Sequence, residues 1–235
     1  PFTHHRDHMA LHRIEPKNRF ALIAIRLKHD IRGSLDQWQD VAAVEFQPWI
    51  MIHPCQPHRL HPRAMRQQID PQIPRSKADL MHLRAVFCGS KNGKNPAYVR
   101  EAQELGNRLG SRKINVIYGG GSAGLMGSVA DAALAAGGKV VGIIPQLLVE
   151  WEVAHRALTE LIVCDNMHQR KAKIYSLCDA VIVLPGGFGT LDELFEVLTW
   201  NQLTIHDKSI LILNTDGFYD PLLQHLERLK QEGFL

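Results

Sequence analysis

The sequence predicts an α/β fold built on a doubly wound parallel sheet. From residue 84 onward, short and almost entirely apolar runs alternate with longer stretches of helical spacing, and glycine-rich turns join two of these runs to the next helix. Runs of this kind are typical of strands that are covered on both faces. Alternation of strand and helix implies parallel strands joined by right-handed crossovers.

The predicted elements follow one another in a regular order. Six runs have the length and apolar content of buried strands: Arg84–Cys88, Ile114–Tyr118, Lys139–Ile144, Leu161–Cys164, Ala180–Leu184 and Ser209–Leu213. Five stretches between and after them have the spacing of helices: Pro96–Leu109, Leu125–Ala136, Met167–Leu177, Leu191–Leu203 and Pro221–Gln231. We therefore expect one nucleotide-binding domain of Rossmann-like type over residues 81–235.

Residues 1–80 have a different composition from the rest of the chain. Only Gly33 among the 18 glycines lies in this segment, whereas closely spaced prolines interrupt its second half. One plausible strand, Phe20–Leu27, is followed by no repeating period. We expect residues 1–80 to be an irregular or non-native N-terminal extension, and we hypothesise that Met81 is the native start.

Charge, hydropathy and cysteine usage argue against several classes of function. The net charge of +3 divides into about +4 for residues 1–80 and about −1 for the remainder, so we expect no nucleic-acid partner. No apolar run is long enough to cross a bilayer, so no membrane partner is expected. The four cysteines form no C-x-x-C pair, which predicts reduced and mostly buried thiols in a cytoplasmic protein: Cys55, Cys88, Cys164 and Cys178.

The first glycine-rich turn follows the strand Ile114–Tyr118. Gly119, Gly121 and Gly124 have the G-x-G-x-x-G spacing of a dinucleotide site. Such a site usually has an acidic residue about 20 positions later that binds the ribose hydroxyls. No Asp or Glu lies between Asp131, within the predicted helix, and Glu150, so the pattern argues against NAD.

The second glycine-rich turn, residues 185–190, lies between a buried strand and a helix. Its glycines allow a ligand to approach the backbone, and the helix that follows offers free N–H groups to a phosphate monoester. No Gly-Lys-Ser/Thr follows, so this is not a P-loop. Thr190 and Glu193 also have the T-x-x-E spacing of a capping box, which would make Glu193 a purely structural residue.

A basic cluster opens the helix after Leu161–Cys164. Arg170 and Lys171 lie close to the helix N-terminus, where the dipole disfavours cations. The pattern indicates an electron-rich partner supplied by a ligand or a second subunit, although a solvated basic face is the alternative. His168 lacks neighbours at metal-ligand spacing, so we interpret it as a surface or hydrogen-bonding residue and expect no metal.

Together these motifs resemble the Lonely Guy family. The resemblance is carried by Met167-His168-Gln169-Arg170-Lys171 and by the run from Pro185 to Glu193, with supporting matches at Val86–Ser90, Tyr118–Gly127 and Gly217–Asp220. It covers about residues 82–235. Members were long labelled lysine decarboxylases, and the resemblance implies that this label would be wrong here. It implies instead hydrolysis of the N-glycosidic bond of nucleoside 5′-monophosphates, cytokinin riboside phosphates and AMP included, without a cofactor.

The resemblance also assigns roles to individual residues. Arg170 and Glu193 match the catalytic pair. The positions that match or adjoin substrate contacts are Glu152, Met167, Lys171, Gly186, Gly187, Gly189, Thr190, Thr199, Gly121 and Ser122. The family further implies a homodimer with sites near the interface. Relatives continue for another strand and helix beyond Leu235, which leads us to expect a domain truncated at its C-terminus.

Two other functions stay open at this point. A nucleotide-binding or carrier module of the same fold, without turnover, would follow if Glu193 were structural. An NAD-type oxidoreductase would need the acidic residue that is missing after Lys139–Ile144. Free adenine released from AMP would distinguish hydrolysis from mere binding.

Overall fold

The structure is a computed structural model that describes residues 9–11, 22–27, 83–151 and 154–235. The described residues fall into two compact units. One, here called the 83–180 unit, contains residues up to Ala180, and the other, the 181–235 unit, also contains the two N-terminal strands. The predictions for the remainder of residues 1–80 lie outside the described residues, as does Glu152.

The 83–180 unit is built on four parallel strands that neighbour each other in chain order. They are β3 (Leu83–Phe87), β4 (Asn115–Tyr118), β5 (Val140–Pro145) and β6 (Glu160–Cys164). Every residue of β3, β4 and β5 is buried. Side chains alternate between the two faces of a strand, so both faces of these three strands are covered.

Four helices accompany these strands: α1 (Pro96–Ser111), α2 (Gly124–Ala135), α3 (Gln146–Trp151) and α4 (Met167–Leu177). Helices α1 and α2 pack against each other and against β4, while α4 packs along β3 to β6. Helix α4 begins where the sequence predicts, because the Asn166 side chain accepts a hydrogen bond from the Gln169 backbone N–H at 2.9 Å. Helix α3 was not predicted.

The 181–235 unit contains the remaining elements, apart from Ala180, the first residue of β7. They are β1 (Met9–Leu11), β2 (Leu22–Leu27), β7 (Ala180–Val183), α5 (Phe188–Gln202), β8 (Ser209–Leu213) and α6 (Asp220–Gln231). Strand β2 pairs antiparallel with β1 and with β8, and β8 lies between β2 and β7. The predicted strand Phe20–Leu27 is thus present as β2, although its pairing with β8 was not foreseen.

The parallel α/β architecture predicted from the sequence is confirmed, and most helix and strand ends agree within two residues. The exception is α5, which begins at Phe188 rather than Leu191. Three of the four cysteines are described, and Cys88, Cys164 and Cys178 are free thiols buried in the fold, as predicted. Among the described residues, no helix is long and apolar enough to cross a membrane.

Candidate active site in two glycine turns

The first glycine turn, residues 119–127, is closed by contacts within the protein. The backbone N–H groups of Leu125 and Met126, at the N-terminus of α2, donate to the Gly89 carbonyl at 3.0 and 3.4 Å. The Tyr118 hydroxyl donates to the Gly121 carbonyl at 3.1 Å. Two of the amides at this helix N-terminus, where a pyrophosphate would bind, therefore already have an acceptor.

Arg170 lies in the second turn of α4 and its side chain is almost completely buried, with 5% of the residue exposed. Its Nη2 donates to the Gly119 carbonyl at 2.8 Å and its Nε to the Ile143 carbonyl at 3.1 Å. Nη1 lies 3.7 Å from the Met167 sulfur. These carbonyls come from the C-terminal ends of β4 and β5, the sheet edge at which ligands of such folds bind.

The prediction that a ligand or a second subunit supplies an electron-rich partner of this cluster stays a prediction, and the structure adds two electron-rich partners of Arg170 from within its own unit. Main-chain carbonyls of the same unit hold the guanidinium. Each carbonyl carries a partial negative charge, and the two bonds orient the guanidinium. Gly119 makes this approach possible, because a Cβ there would lie 1.9 Å from Nη2 of Arg170.

The neighbours of Arg170 are more accessible. Met167 is 41% exposed, His168 is exposed and Lys171 is half-buried. The exposure of His168 agrees with the prediction of a surface histidine. Among the described residues, no cluster of three or more His, Cys, Asp or Glu side chains could hold a metal ion.

Cys164 ends β6 beside this cluster but is not prepared for nucleophilic chemistry. Burial is the main cause that raises the pKa of its thiol, and the nearby charges of Arg170 and Lys173 only partly oppose it. A thiol with a raised pKa stays protonated, and the protonated form is a poor nucleophile. Cys164 is therefore not a candidate nucleophile.

The second glycine turn, unlike the first, has open space next to its glycines. Helix α5 begins at Phe188 with Gly187 as its N-cap, and no side chain among the described residues caps it. Gly187 and Gly189 are exposed, and a Cβ at either position would meet nothing within 4 Å. The first N–H groups of a helix have no intrahelical acceptor, so this end presents donors and a positive dipole to open space.

The early start of α5 removes the capping-box explanation for Glu193. Thr190 is the third residue of the helix rather than its N-cap, and it is buried with 4% exposed. Glu193 is the sixth residue of α5 and half-buried, too far along the helix to be the acidic member of a capping box. Thr199, further along the same helix, is exposed, and its hydroxyl donates to the Phe195 carbonyl at 2.7 Å.

The predicted site residues thus divide between the two units. In the 83–180 unit lie Gly121, Ser122, Met167, Arg170 and Lys171, and in the 181–235 unit lie Gly186, Gly187, Gly189, Thr190, Glu193 and Thr199. Reasoning from sequence missed Gly119 and Ile143 as the partners of Arg170. The G-x-G spacing singled out Gly119, but nothing in the sequence indicated that an arginine 51 positions later would contact it.

Comparison with known proteins gives consistent matches. The family described as "Possible lysine decarboxylase" matches residues 126–235. A cytokinin riboside 5′-monophosphate phosphoribohydrolase of Arabidopsis thaliana is 49% identical over 150 residues, which are 64% of this chain and 70% of that protein. A probable enzyme of the same name from Oryza sativa subsp. japonica is 48% identical over 64% of this chain and 62% of its own length.

Solved structures with a similar fold are more distant. The Moco carrier protein of Chlamydomonas rheinhardtii matches with a TM-score of 0.47 and 20% identity, over 63% of this chain and 84% of that one. The molybdenum cofactor binding protein of the phototrophic bacterium Rippkaea orientalis matches with a TM-score of 0.45 and 20% identity, over 62% and 97% of the two chains. The sequence relatives are far closer: with 49% identity over 70% of the Arabidopsis protein, the chain belongs to the Lonely Guy family, the family of these phosphoribohydrolases.

Proposed function

We propose that this protein hydrolyses the N-glycosidic bond of nucleoside 5′-monophosphates, releasing the free base and ribose 5-phosphate. The observation that carries the proposal is the uncapped N-terminus of α5, with two glycines open to space and a half-buried carboxylate further along the same helix. A phosphate monoester fits a helix N-terminus of this kind. The relatives named above are called phosphoribohydrolases, which gives independent support.

In the proposed mechanism, the Gly186–Thr190 turn binds the 5′-phosphate through backbone amides. Binding energy used at the phosphate, away from the reacting atoms, places the anomeric carbon C1′ for reaction. As the bond between C1′ and the base nitrogen breaks, positive charge builds on the ribose ring, as in glycoside hydrolysis. Water then adds its hydroxyl to C1′, and its remaining proton balances the departing base.

Glu193 and Arg170 have the catalytic roles in this proposal. The Glu193 carboxylate would stabilise the positive ribose and orient or deprotonate the attacking water. The Arg170 guanidinium would bind the ligand with a charge that persists at any working pH. Lys171, Glu152 and Thr199 are proposed as further contacts to the substrate, together with Met167, Gly121 and Ser122.

Product analysis tests this proposal directly. AMP and isopentenyladenosine monophosphate are incubated side by side with the protein, and free base and ribose 5-phosphate are quantified. We expect both products in equal amounts from at least one substrate. Binding of the nucleotides without release of base would reduce the protein to a nucleotide-binding module.

Replacing Gly189 with alanine is expected to separate stability from function. Alanine is favoured over glycine in a helix by about 0.5–1 kcal/mol, and the new Cβ would meet nothing within 4 Å in the protein. The same methyl group would occupy the space proposed for the phosphate. We therefore expect a slightly higher melting temperature together with a KM for AMP raised by roughly tenfold, about 1.4 kcal/mol of lost binding. An unchanged KM would place the phosphate elsewhere.

We propose further that the protein is a homodimer that associates through one face of α5. Phe188 is 92% exposed, Phe195 39% and Leu203 61%, and helical spacing puts all three on the same side of α5. Several large apolar side chains exposed on one side of a helix are typical of an interaction site. A cytoplasmic location is proposed as well, because the described cysteines are free thiols.

Light scattering coupled to size exclusion tests the dimer. The Phe195→Asp variant, which places a charge on this face, is expected to elute as a monomer at concentrations where the parent protein is a dimer. The control is Phe234→Asp, at an apolar residue that is 74% exposed but lies outside α5. Equal masses for the parent and Phe195→Asp would exclude this face as the interface.

A further inference from the structure

We infer that Tyr219 is a positioning residue for the second glycine turn and sets its affinity for the phosphate of the substrate. The inference rests on the proposed function in one respect, namely that this turn binds phosphate. Tyr219 belongs to the Gly217–Asp220 motif, which has no role in the mechanism given above. All the contacts that carry the inference lie within the 181–235 unit.

The phenol of Tyr219 makes a direct hydrogen bond to the strand that leads into the turn. Its hydroxyl donates to the Leu184 carbonyl at 2.7 Å, the most common length for a bond of this type. Tyr219 is 2% exposed and Leu184 is fully buried, so water does not compete for this carbonyl. Leu184 immediately precedes Pro185 and the glycines of the turn.

The Tyr219 ring is itself held by contacts of its neighbours. The Asn214 side chain accepts from the Tyr219 backbone N–H at 2.6 Å and donates to Asp220 at 2.8 Å. Gly217, with a φ of +75°, adopts the left-handed backbone conformation that the chain needs immediately before Phe218. The Phe218 ring packs edge-on against Tyr219, with ring centroids 4.8 Å apart. The phenol therefore has a defined position at the end of β7.

Fixing the Leu184 carbonyl also fixes the direction in which the turn leaves the strand. That carbonyl belongs to the peptide group joined to Pro185, whose ring restricts φ. The following residues, Gly186 and Gly187, have the widest conformational freedom of any residue type. An anchor before this flexible stretch limits the positions that the amides at the start of α5 can adopt. Because a positional error of about 1 Å can cost much of a site's efficiency, the anchor should matter for ligand binding.

The Tyr219→Phe variant removes the hydroxyl and keeps the ring. The Kd of ribose 5-phosphate, measured by isothermal titration calorimetry, is expected to rise by about three- to tenfold, the usual effect of losing one hydrogen bond. The KM for AMP should rise by a similar factor, while kcat changes by less than about threefold. The matched control is Tyr175→Phe, which removes the hydroxyl of another buried tyrosine, one whose ring packs against Phe87 in the 83–180 unit. Its Kd for ribose 5-phosphate should equal that of the parent.

Each outcome decides the inference. A Tyr219→Phe protein with a lower melting temperature but the parental Kd and KM would show that the bond is only structural. Equal weakening by Tyr175→Phe, or a parent that does not bind ribose 5-phosphate, would also overturn the inference. A parent that binds ribose 5-phosphate but releases no base from AMP would refute the proposed hydrolysis alone, and the two Kd values would still test Tyr219.

Should Tyr219→Phe fail to fold, Asn214→Asp provides a second test. Aspartate keeps an acceptor for the Tyr219 backbone N–H but loses the amide donor to Asp220 and adds a like charge beside it. The Tyr219 ring should then be held less firmly, and the Kd should rise in the same direction by a smaller factor. An unchanged Kd in this folded variant would contradict the inference.

Discussion

Replacement of Glu193 with glutamine is expected to lower the turnover of AMP by about 100-fold or more, the usual effect of losing a positioned acid or base. Glutamine has the same shape but cannot balance the positive charge on the ribose or accept a proton from water. The melting temperature should change little, because Glu193 is the sixth residue of α5 and not a member of a capping box. Steady-state kinetics and thermal unfolding of the same preparation measure both effects.

The adjacent carboxylate provides the control for this experiment. Asp192 is exposed on the same helix, and Asp192→Asn makes the same change of charge one residue away. We expect its turnover to stay within about threefold of the parent, since surface substitutions have small effects. If Glu193→Gln retained full turnover, or if both variants lost it equally, Glu193 would have no specific catalytic role.

The sequence predicts the elements of this fold well where local signals are strong. Strand Ser209–Leu213 and helix Met167–Leu177 have the predicted ends, because a continuous apolar run defines the first and an asparagine cap the start of the second. The start of α5 was predicted three residues late, since Gly187 and Gly189 have low helix propensity. Glycine destabilises a helix less at its N-terminus than in its interior. The open space next to Gly187 and Gly189 is visible only in the structure.

The candidate site was predicted only in part, for a related reason. Residue type and spacing singled out Arg170 and Glu193, but they could not identify what contacts them. The carbonyls of Gly119 and Ile143, which hold Arg170, are main-chain atoms 51 and 27 positions away, and every residue has such a carbonyl. The hydrogen bond from Tyr219 to the Leu184 carbonyl, 35 positions away, could not be predicted for the same reason. A contact to a main-chain carbonyl does not depend on the type of residue that carries the carbonyl, so no sequence pattern reveals it.

The placement of the Arg170 guanidinium, rather than its charge alone, is expected to determine activity. Arg170→Ala should abolish most hydrolysis of AMP and weaken ligand binding. It should also lower stability by about 1–3 kcal/mol, the cost of leaving buried polar groups unsatisfied, because it removes the donors to Gly119 and Ile143. A loss of activity in this variant alone therefore does not separate catalysis from folding.

Gly119→Ala separates the two effects because it retains the arginine. The added Cβ would lie 1.9 Å from Nη2, so the guanidinium must move away from the Gly119 carbonyl while keeping its charge. We expect kcat/KM for AMP to fall by at least about tenfold, as small displacements of positioned groups often cause. Arg100→Ala, at an exposed arginine of α1, controls for the positive charge that Arg170→Ala removes and should leave kcat/KM within about threefold of the parent. Should Gly119→Ala lower the melting temperature yet keep the parental kcat/KM, the bond from Arg170 to Gly119 would serve the fold and not the reaction.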